Sequence, residues 1–389
     1  MNKYAALLPI LVVASACSDA TSPAARPAPT ARVAAAAAEG IPNQYIVVLN
    51  DDVTDVTGAA AGLARAHGAS IRFTYTSVLK GFAATMTSAA AEALARNPQV
   101  SYVEQDQLMH ASTDQLGATW GLDRINQRNL PLDGKFSYTY TGSGVRAYII
   151  DTGIQTAHTQ FGTRASNVYD AFGGNGQDCN GHGTHVAGTV GSTTYGVAKQ
   201  AYLRGVRVLD CAGSGSTSGI IAAVDWVRLN HIKPAVANMS LGGGYSASLN
   251  TAANNLHNAG VFLAVAAGNE NQNACNVSPA SATAVYTVAA STSTDAKASY
   301  SNYGSCVDTY APGSSITSTW NNGGTNTISG TSMASPHVAG VSALIKHRYG
   351  DISSASVESY LDGATTVGLI TGNPSGTVNQ LLYKYITAW

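Results

Sequence analysis

The chain is short of charge. Only 11% of its residues are Asp, Glu, Lys or Arg, against about 25% in an average soluble protein. The 21 basic and 22 acidic residues leave a net charge of −1, which excludes a strong global field for nucleic acid or an anionic membrane. No apolar run approaches the roughly 20 residues a membrane helix needs, so no transmembrane anchor is expected. There is no C-x-x-C, which removes zinc ribbons and thioredoxin-like sites, and no H-E-x-x-H. The 40 glycines have no three-residue period, so collagen is excluded, and no internal repeat is visible. What is present is apolar material. Hydrophobic residues are 45% of 389, enough for a sizeable core and too much for a disordered chain. The length suggests two or three domains at roughly 150 residues each. The surface must be polar through Ser, Thr, Asn and Gly.

The first 16 residues read as a secretory signal. Lys3 supplies a positive start, Tyr4 to Val13 an apolar stretch, and Ala14-Ser15-Ala16 a small-residue cleavage signal. Cys17 follows at the position where a bacterial lipoprotein carries its lipid, so both free secretion and lipid anchoring are open readings. Residues 17–40 are rich in Ala, Pro and Ser, the composition of a flexible linker. Beyond Cys17 four cysteines remain, Cys179, Cys211, Cys275 and Cys306, an even number that suits an oxidising compartment. Three pairings can be drawn. The first choice joins sequence neighbours, Cys179 to Cys211 and Cys275 to Cys306.

Two patterns follow one another. From Gln44 the order is strand (Gln44 to Leu49), helix (Val56 to His67, stopped by Gly68) and a strand–turn–strand from Phe73 to Met86 around Lys80-Gly81. A second helix, Ser88 to Arg96 with Ser88 as cap, and a strand, Val100 to Val103, complete a ferredoxin-like unit assigned to residues 41–110. Glu104 to Asp114 carry no helical or strand pattern and read as a polar connector. From Trp120 onward, continuous apolar runs (Val145 to Ile150, Tyr202 to Val208, Val236 to Met239, Val261 to Ala266, Tyr286 to Ala289) alternate with helical stretches. Buried parallel strands read this way, so residues 113–389 are expected to form an α/β, doubly wound, mostly parallel sheet with helices on both faces.

Three motifs stand at the ends of these elements. One strand ends in Asp151-Thr152-Gly153. Asn180-Gly181-His182-Gly183-Thr184-His185 opens a helix, and Gly330-Thr331-Ser332-Met333 opens another. Ligand sites in open α/β sheets lie outside the carboxyl ends of strands. Acyl transfer needs a nucleophile, a base and a group that orients the base. Ser332, His182 and Asp151 supply those three types. The Ser332 N–H at a helix start and the side chain of Asn269 can serve as oxyanion donors. Taken singly, each residue has a plainer reading as a cap or turn. His182 and His185 lack a third metal ligand, and His185 reads as a packed helix residue.

With these residues in view, the chain resembles a subtilisin-type serine protease of the proteinase K branch, similar to aqualysin-like bacterial members. The order Asp…His…Ser is that of subtilisins. The resemblance covers about residues 44–389 and includes Val208-Leu209-Asp210-Cys211, Trp226-Val227, Asn238-Met239-Ser240-Leu241-Gly242-Gly243-Gly244 and the serine motif. It implies an exported endopeptidase acting through Asp151, His182, Ser332 and Asn269, preceded by an inhibitor-type propeptide. An extended peptide substrate would add as a strand between Gly213-Ser214-Gly215-Ser216 and Ser240-Leu241-Gly242. A primary pocket walled by Ser240 to Gly242 and Ala266-Ala267-Gly268, with no Asp or Glu in those walls, implies cleavage after apolar or aromatic residues. Structural Ca²⁺ is implied at Asp308 with the carbonyls of Thr283 and Val285, and at Asp123, Gln127 and Asp133, where Asn126 stands in place of an acid that related enzymes often carry. Self-cleavage is expected between Leu108 and Asp114, after which the propeptide acts as intramolecular inhibitor of a monomeric enzyme. Two other readings share the fold: a catalytically dead binding module, which usually lacks a triad member, and a peptide ligase using the same residues.

Overall fold

The computed structural model describes residues 40–107 and 113–385. The signal peptide, nearly all of the linker with Cys17, and the Leu108–Ser112 part of the expected cleavage window lie outside them. The chain divides into two compact units, Met1–Met109 and His110–Trp389.

The first unit runs β1 (Gly40–Leu49), α1 (Val56–Ala66), β2 (Ser70–Tyr75), β3 (Gly81–Thr85), α2 (Ser88–Leu94) and β4 (Val100–Gln107). Its antiparallel sheet has the order β2-β3-β1-β4, as the ferredoxin-like reading requires. Alternate β1 residues Val47 and Leu49 join Phe82, Leu94 and Val103 in the core between sheet and helices. Three local expectations change. The cap of α2 is Thr87, whose hydroxyl accepts from the Ala90 N–H at 3.2 Å, not Ser88. Strand β1 starts at Gly40, before Gln44. Strand β4 does not stop at Val103: Glu104 pairs with Ile46, Gln105 with Tyr45 and Gln107 with Gly40. β4 is an edge strand, and the polar side chains that read as a connector are those a solvated edge carries. On the other side of the undescribed stretch, Thr113–Leu116 pairs antiparallel with Lys135–Tyr138, so Thr113 and Asp114 are also paired strand rather than connector.

The second unit is built on β5 (Arg146–Asp151), β6 (Ala165–Asp170), α3 (His182–Gly191), β7 (Tyr202–Arg207), α4 (Thr217–Asn230), β8 (Ala235–Met239), α5 (Ala247–Asn258), β9 (Phe262–Ala266), β10 (Tyr286–Ser291), β11 (Thr309–Pro312), α6 (Thr331–Tyr349) and α7 (Ser354–Ala364). The seven long strands are parallel, in the order β11-β10-β9-β8-β5-β7-β6, extended beyond β11 by the short strands Gln380–Leu381 and Thr366–Val367. Only that last pair is antiparallel. The pleat sends neighbours to opposite faces. Val236, Phe262 and Ala264 pack with Val186 of α3 and Val338 of α6, while Ala237, Leu263 and Val265 pack with Ile220 of α4 and Leu249 of α5. Two cores, one on each face, explain why the strands read as unbroken apolar runs.

From β5 the chain steps out to β6, returns to β7 beside β5, and then crosses to β8 on the other side of β5. The strand order reverses there, so the carboxyl end of β5 is the topological switch point, where crevices form in such sheets. Disulfides join Cys179 to Cys211 and Cys275 to Cys306, the sequence-neighbour pairing. Sequence separations of 32 and 31 correspond to about 3.5–4 kcal/mol each in the chain-entropy treatment.

Candidate active site

Asp151 is the last residue of β5 and is fully buried. Its Oδ1 accepts the Thr152 N–H at 2.7 Å and lies 2.8 Å from His182 Nδ1. That contact selects the tautomer with the proton on Nδ1 and leaves Nε2 as the basic nitrogen. His182 is the first residue of α3, its side chain 24% exposed. Burial disfavours the imidazolium, but the charge and hydrogen bond of Asp151, joined by the charge of Asp178, outweigh it, and the imidazole is raised above its usual 6.5. Such a base is stronger than free histidine near neutral pH.

Ser332 is the second residue of α6, so its N–H has no intrahelical acceptor and points out of the helix start. Its hydroxyl donates to the Ser240 carbonyl at 3.2 Å. Sequence reasoning missed the scaffold around it. The Ser240 hydroxyl donates to the Ser332 carbonyl at 2.8 Å and accepts from Asn238 Nδ2 at 2.8 Å, while Asn238 Oδ1 accepts from Ser335 at 2.6 Å. This buried chain ties β8 to the first turn of α6. Asn269 is oriented by Thr331: its Oδ1 accepts the Thr331 N–H at 2.8 Å and hydroxyl at 3.1 Å. With the oxygen so engaged, Nδ2 is the free end, a donor held ready beside Ser332.

Gly213, Ser214 and Gly215 on one side, and Ser240, Leu241 and Gly242 on the other, line one cleft of about 510 Å³ together with His182. Ser216 is not part of it; its hydroxyl caps α4 by accepting the Gly219 N–H at 3.1 Å. A second cavity of about 360 Å³ is bounded by Leu241 to Gly244, Ala266, Gly268, Asn269, Val277 and Ser332. Ala267 is turned away, its N–H to the Val288 carbonyl and its carbonyl to Asn302. The expectation of a pocket without acids is corrected by Glu270, which lines this cavity. Its Oε2 accepts the Asn269 N–H at 3.0 Å and Asn302 Nδ2 at 2.9 Å, so the carboxylate is partly consumed in fixing the loop that carries Asn269.

Thr283, Val285 and Asp308 line a cavity of about 310 Å³ that also takes in Glu358 and Asp362. Burial, opposed by the Thr287 N–H at 2.6 Å and reinforced by Asp362 and Glu358, pushes the Asp308 carboxyl up to about 7. Hard oxygen donors around a carboxylate short of positive partners suit Ca²⁺. At the other expected site, Asp123 Oδ2 accepts the Gly134 N–H at 2.6 Å while its Oδ1 is buried with no hydrogen-bond partner. Gln127 turns its amide N–H to the Asn129 and Pro131 carbonyls, which leaves its oxygen available, and Asp133 accepts the Lys135 N–H at 3.0 Å. Asn126 is spent on the Ser137 N–H at 3.1 Å. Both donor sets fit a hard cation, although among the described residues no three His, Cys, Asp or Glu side chains gather as a metal cluster. His185 is fully buried and bonded to the Ile316 carbonyl at 3.0 Å, a packed helix residue as expected.

Comparison with known proteins bears on this geometry. The peptidase S8 subtilase family model matches residues 142–378, and the peptidase inhibitor I9 model matches residues 44–112. An extracellular serine proteinase of Thermus sp. (strain Rt41A) is 49% identical over 398 aligned positions, covering 96% of this chain and 97% of the relative. The alkaline serine protease ver112 of Corniculantispora psalliotae is 44% identical, with 100% of each chain covered. The crystal structure of a cold adapted subtilisin-like serine proteinase superposes with a TM-score of 0.68 at 50% identity, covering 70% of this chain and 100% of that one.

Proposed function

Because the chain belongs to the subtilase family of serine proteinases and carries an I9-type inhibitor propeptide ahead of its catalytic domain, we propose that it is an exported endopeptidase working through Asp151, His182 and Ser332. In this reading His182 Nε2 takes the Ser332 proton as Oγ attacks the scissile carbonyl. Asp151 holds the ring and stabilises the imidazolium without itself becoming protonated. The developing oxyanion is met by the Ser332 N–H and Asn269 Nδ2. His182 then protonates the leaving amine, and water, activated by the same base, releases the acyl group. The observation that carries the proposal is the 2.8 Å Asp151–His182 bond at the switch point of the sheet, with Ser332 at a helix start and bonded to Ser240, which lines the same cleft as His182.

An extended peptide would pair its backbone with Gly213 to Gly215 and Ser240 to Gly242. Leu241, Ala266 and Val277 favour an apolar or aromatic P1 side chain in the adjoining pocket, whose lining also includes Glu270. Calcium at the Asp308 and Asp123 sites would supply only structural charge neutralisation. Maturation is proposed between Leu108 and Thr113, ahead of the paired strand that starts at Thr113, and the freed propeptide would inhibit in trans. The test is Ser332→Ala. The variant should accumulate as uncut precursor and hydrolyse no unstructured protein; processing at the wild-type rate overturns the assignment. Product analysis distinguishes hydrolysis from ligation.

A further inference from the structure

We propose that Asp178 is a positioning residue for the Asp151–His182 pair, a buried carboxylate that buckles the end of β5 to the start of α3 and gives the imidazole a second negative neighbour. This rests on the triad reading above and goes beyond it. The two members of the pair are 31 residues apart, on a strand end and a helix start. Neither backbone alone fixes their 2.8 Å separation. Asp178, 6% exposed, touches both sides. Its Oδ1 accepts the hydroxyl of Thr152, the residue after Asp151, at 2.9 Å, and the N–H groups of Asn180 and Gly181 at 2.9 and 2.8 Å. Its Oδ2 accepts the N–H and hydroxyl of Thr184 at 2.9 and 2.6 Å. Thr152 completes the clasp, its Oγ1 accepting the Gly183 N–H at 2.8 Å.

The residue type is informative. Gly181, at the cap position of α3, makes no side-chain capping bond. Asp178 takes that place from three residues earlier, with its negative charge at the positive end of the helix. All five of its bonds are accepted from donors. An asparagine would have to turn N–H groups toward either the Thr184 pair or the Thr152–Gly181 group, so the position requires a carboxylate. Among the described residues no Lys or Arg forms an ion pair with it, and its charge therefore acts on the imidazole beside it. The titratable groups facing His182 are Asp151 from β5, Asp178 from the connection into its own helix, and His185 one turn on, which burial holds neutral with a value lowered to about 4. Only the two carboxylates stabilise the imidazolium, and Asp178 is the one not in contact with it.

The experiment is Asp178→Asn in the full-length chain, read as kcat, KM and the pH profile of kcat/KM on a peptide amide. The expected result is a fall in kcat of about tenfold or more with KM little changed, and an acid-limb midpoint displaced by roughly half a pH unit or more to lower pH, because the lost anion had favoured the protonated base. A purely structural residue would lower activity and leave the midpoint in place. An unmoved midpoint or a wild-type kcat overturns the proposal. If Asp178→Asn yields no processed enzyme, Thr152→Val decides the matter, since it keeps the charge and cuts the link to β5. It should lower kcat several-fold with an unmoved midpoint, and wild-type kcat in that variant refutes the buckle. Failure of the triad reading looks different, as hydrolysis that survives Ser332→Ala.

Discussion

Replacing Gly183 by alanine should disable the enzyme without any change in a chemically active group. Gly183 follows His182 in the first turn of α3. A Cβ built there would lie 2.2 Å from the Gly153 carbonyl oxygen, 3.0 Å from Thr152 Oγ1 and 3.2 Å from Asp151 Cβ. The first contact is with backbone, which has no rotamer to escape into. Ordinary contact begins at 3.4 Å, so helix and strand end must part by about 1.2 Å along that direction. The same motion carries His182 away from Asp151 and stretches their 2.8 Å bond toward about 4 Å, past the limit at which a hydrogen bond survives. A misplacement of about 1 Å costs roughly 10²-fold in rate, or about 2.7 kcal/mol in the barrier. The assay is kcat on a peptide amide, with circular dichroism to establish that the variant is folded. Gly363→Ala is the control: nothing lies within 4 Å of its Cβ position, and activity should be unchanged. A folded Gly183→Ala enzyme within about threefold of wild-type kcat would refute the claim that close approach of α3 to β5 sets the Asp–His geometry.

Other outcomes follow from the same geometry. Asn269→Ala should lower kcat by about 10²–10³, the size known for removing such a donor from a subtilisin, with KM nearly constant; a loss confined to KM would remove it from the oxyanion hole. Chelation of calcium should lower the temperature of half-inactivation, and Asp308→Asn should abolish most of that sensitivity; a chelator without effect contradicts the cation sites. In Ser332→Ala protein that also carries Asp308→Asn, which removes a folded-state carboxyl raised to about 7 that would oppose the trend, stability should fall as pH drops from 6.5 toward 4, because burial holds His185 and His337 neutral with values lowered to about 4. The unfolded chain takes up protons in that window that the folded chain refuses, and linkage then favours unfolding. A thermal midpoint of that doubly substituted protein that is flat across the window would contradict this.

How much was legible in the sequence follows from burial. Strands covered on both faces and rich in apolar residues announce themselves, and β5, β7, β8, β9 and β10 appear within a residue or two of the apolar runs that mark them, whereas β11, equally buried but only Thr-Tyr-Ala-Pro, does not stand out. Strands exposed at an edge do not. All six residues of β6 are only half-buried, and the end of β4 carries Glu104 to Gln107 where a pattern reader sees a connector. The candidate triad was legible because each member stands beside glycines at an element end, a local signal. What holds the members was not. Asp178, Thr184, Asn238 and Ser335 act across elements far apart in the chain, and nothing in their immediate neighbours distinguishes them from ordinary turn or helix residues. Glu270 carries no local signal of its own: the loop past Gly268 folds it back into the cavity, which only the tertiary structure shows.

The central claim is that Ser332 is the nucleophile, activated by His182 and Asp151. It is tested most directly by reacting the processed enzyme with a serine-directed sulfonyl fluoride and mapping the adduct by peptide mass spectrometry. The prediction is one adduct per chain, on Ser332, formed in proportion to the loss of hydrolysis. An adduct on another residue that tracks the loss of activity, or full hydrolysis with Ser332 modified, would contradict it.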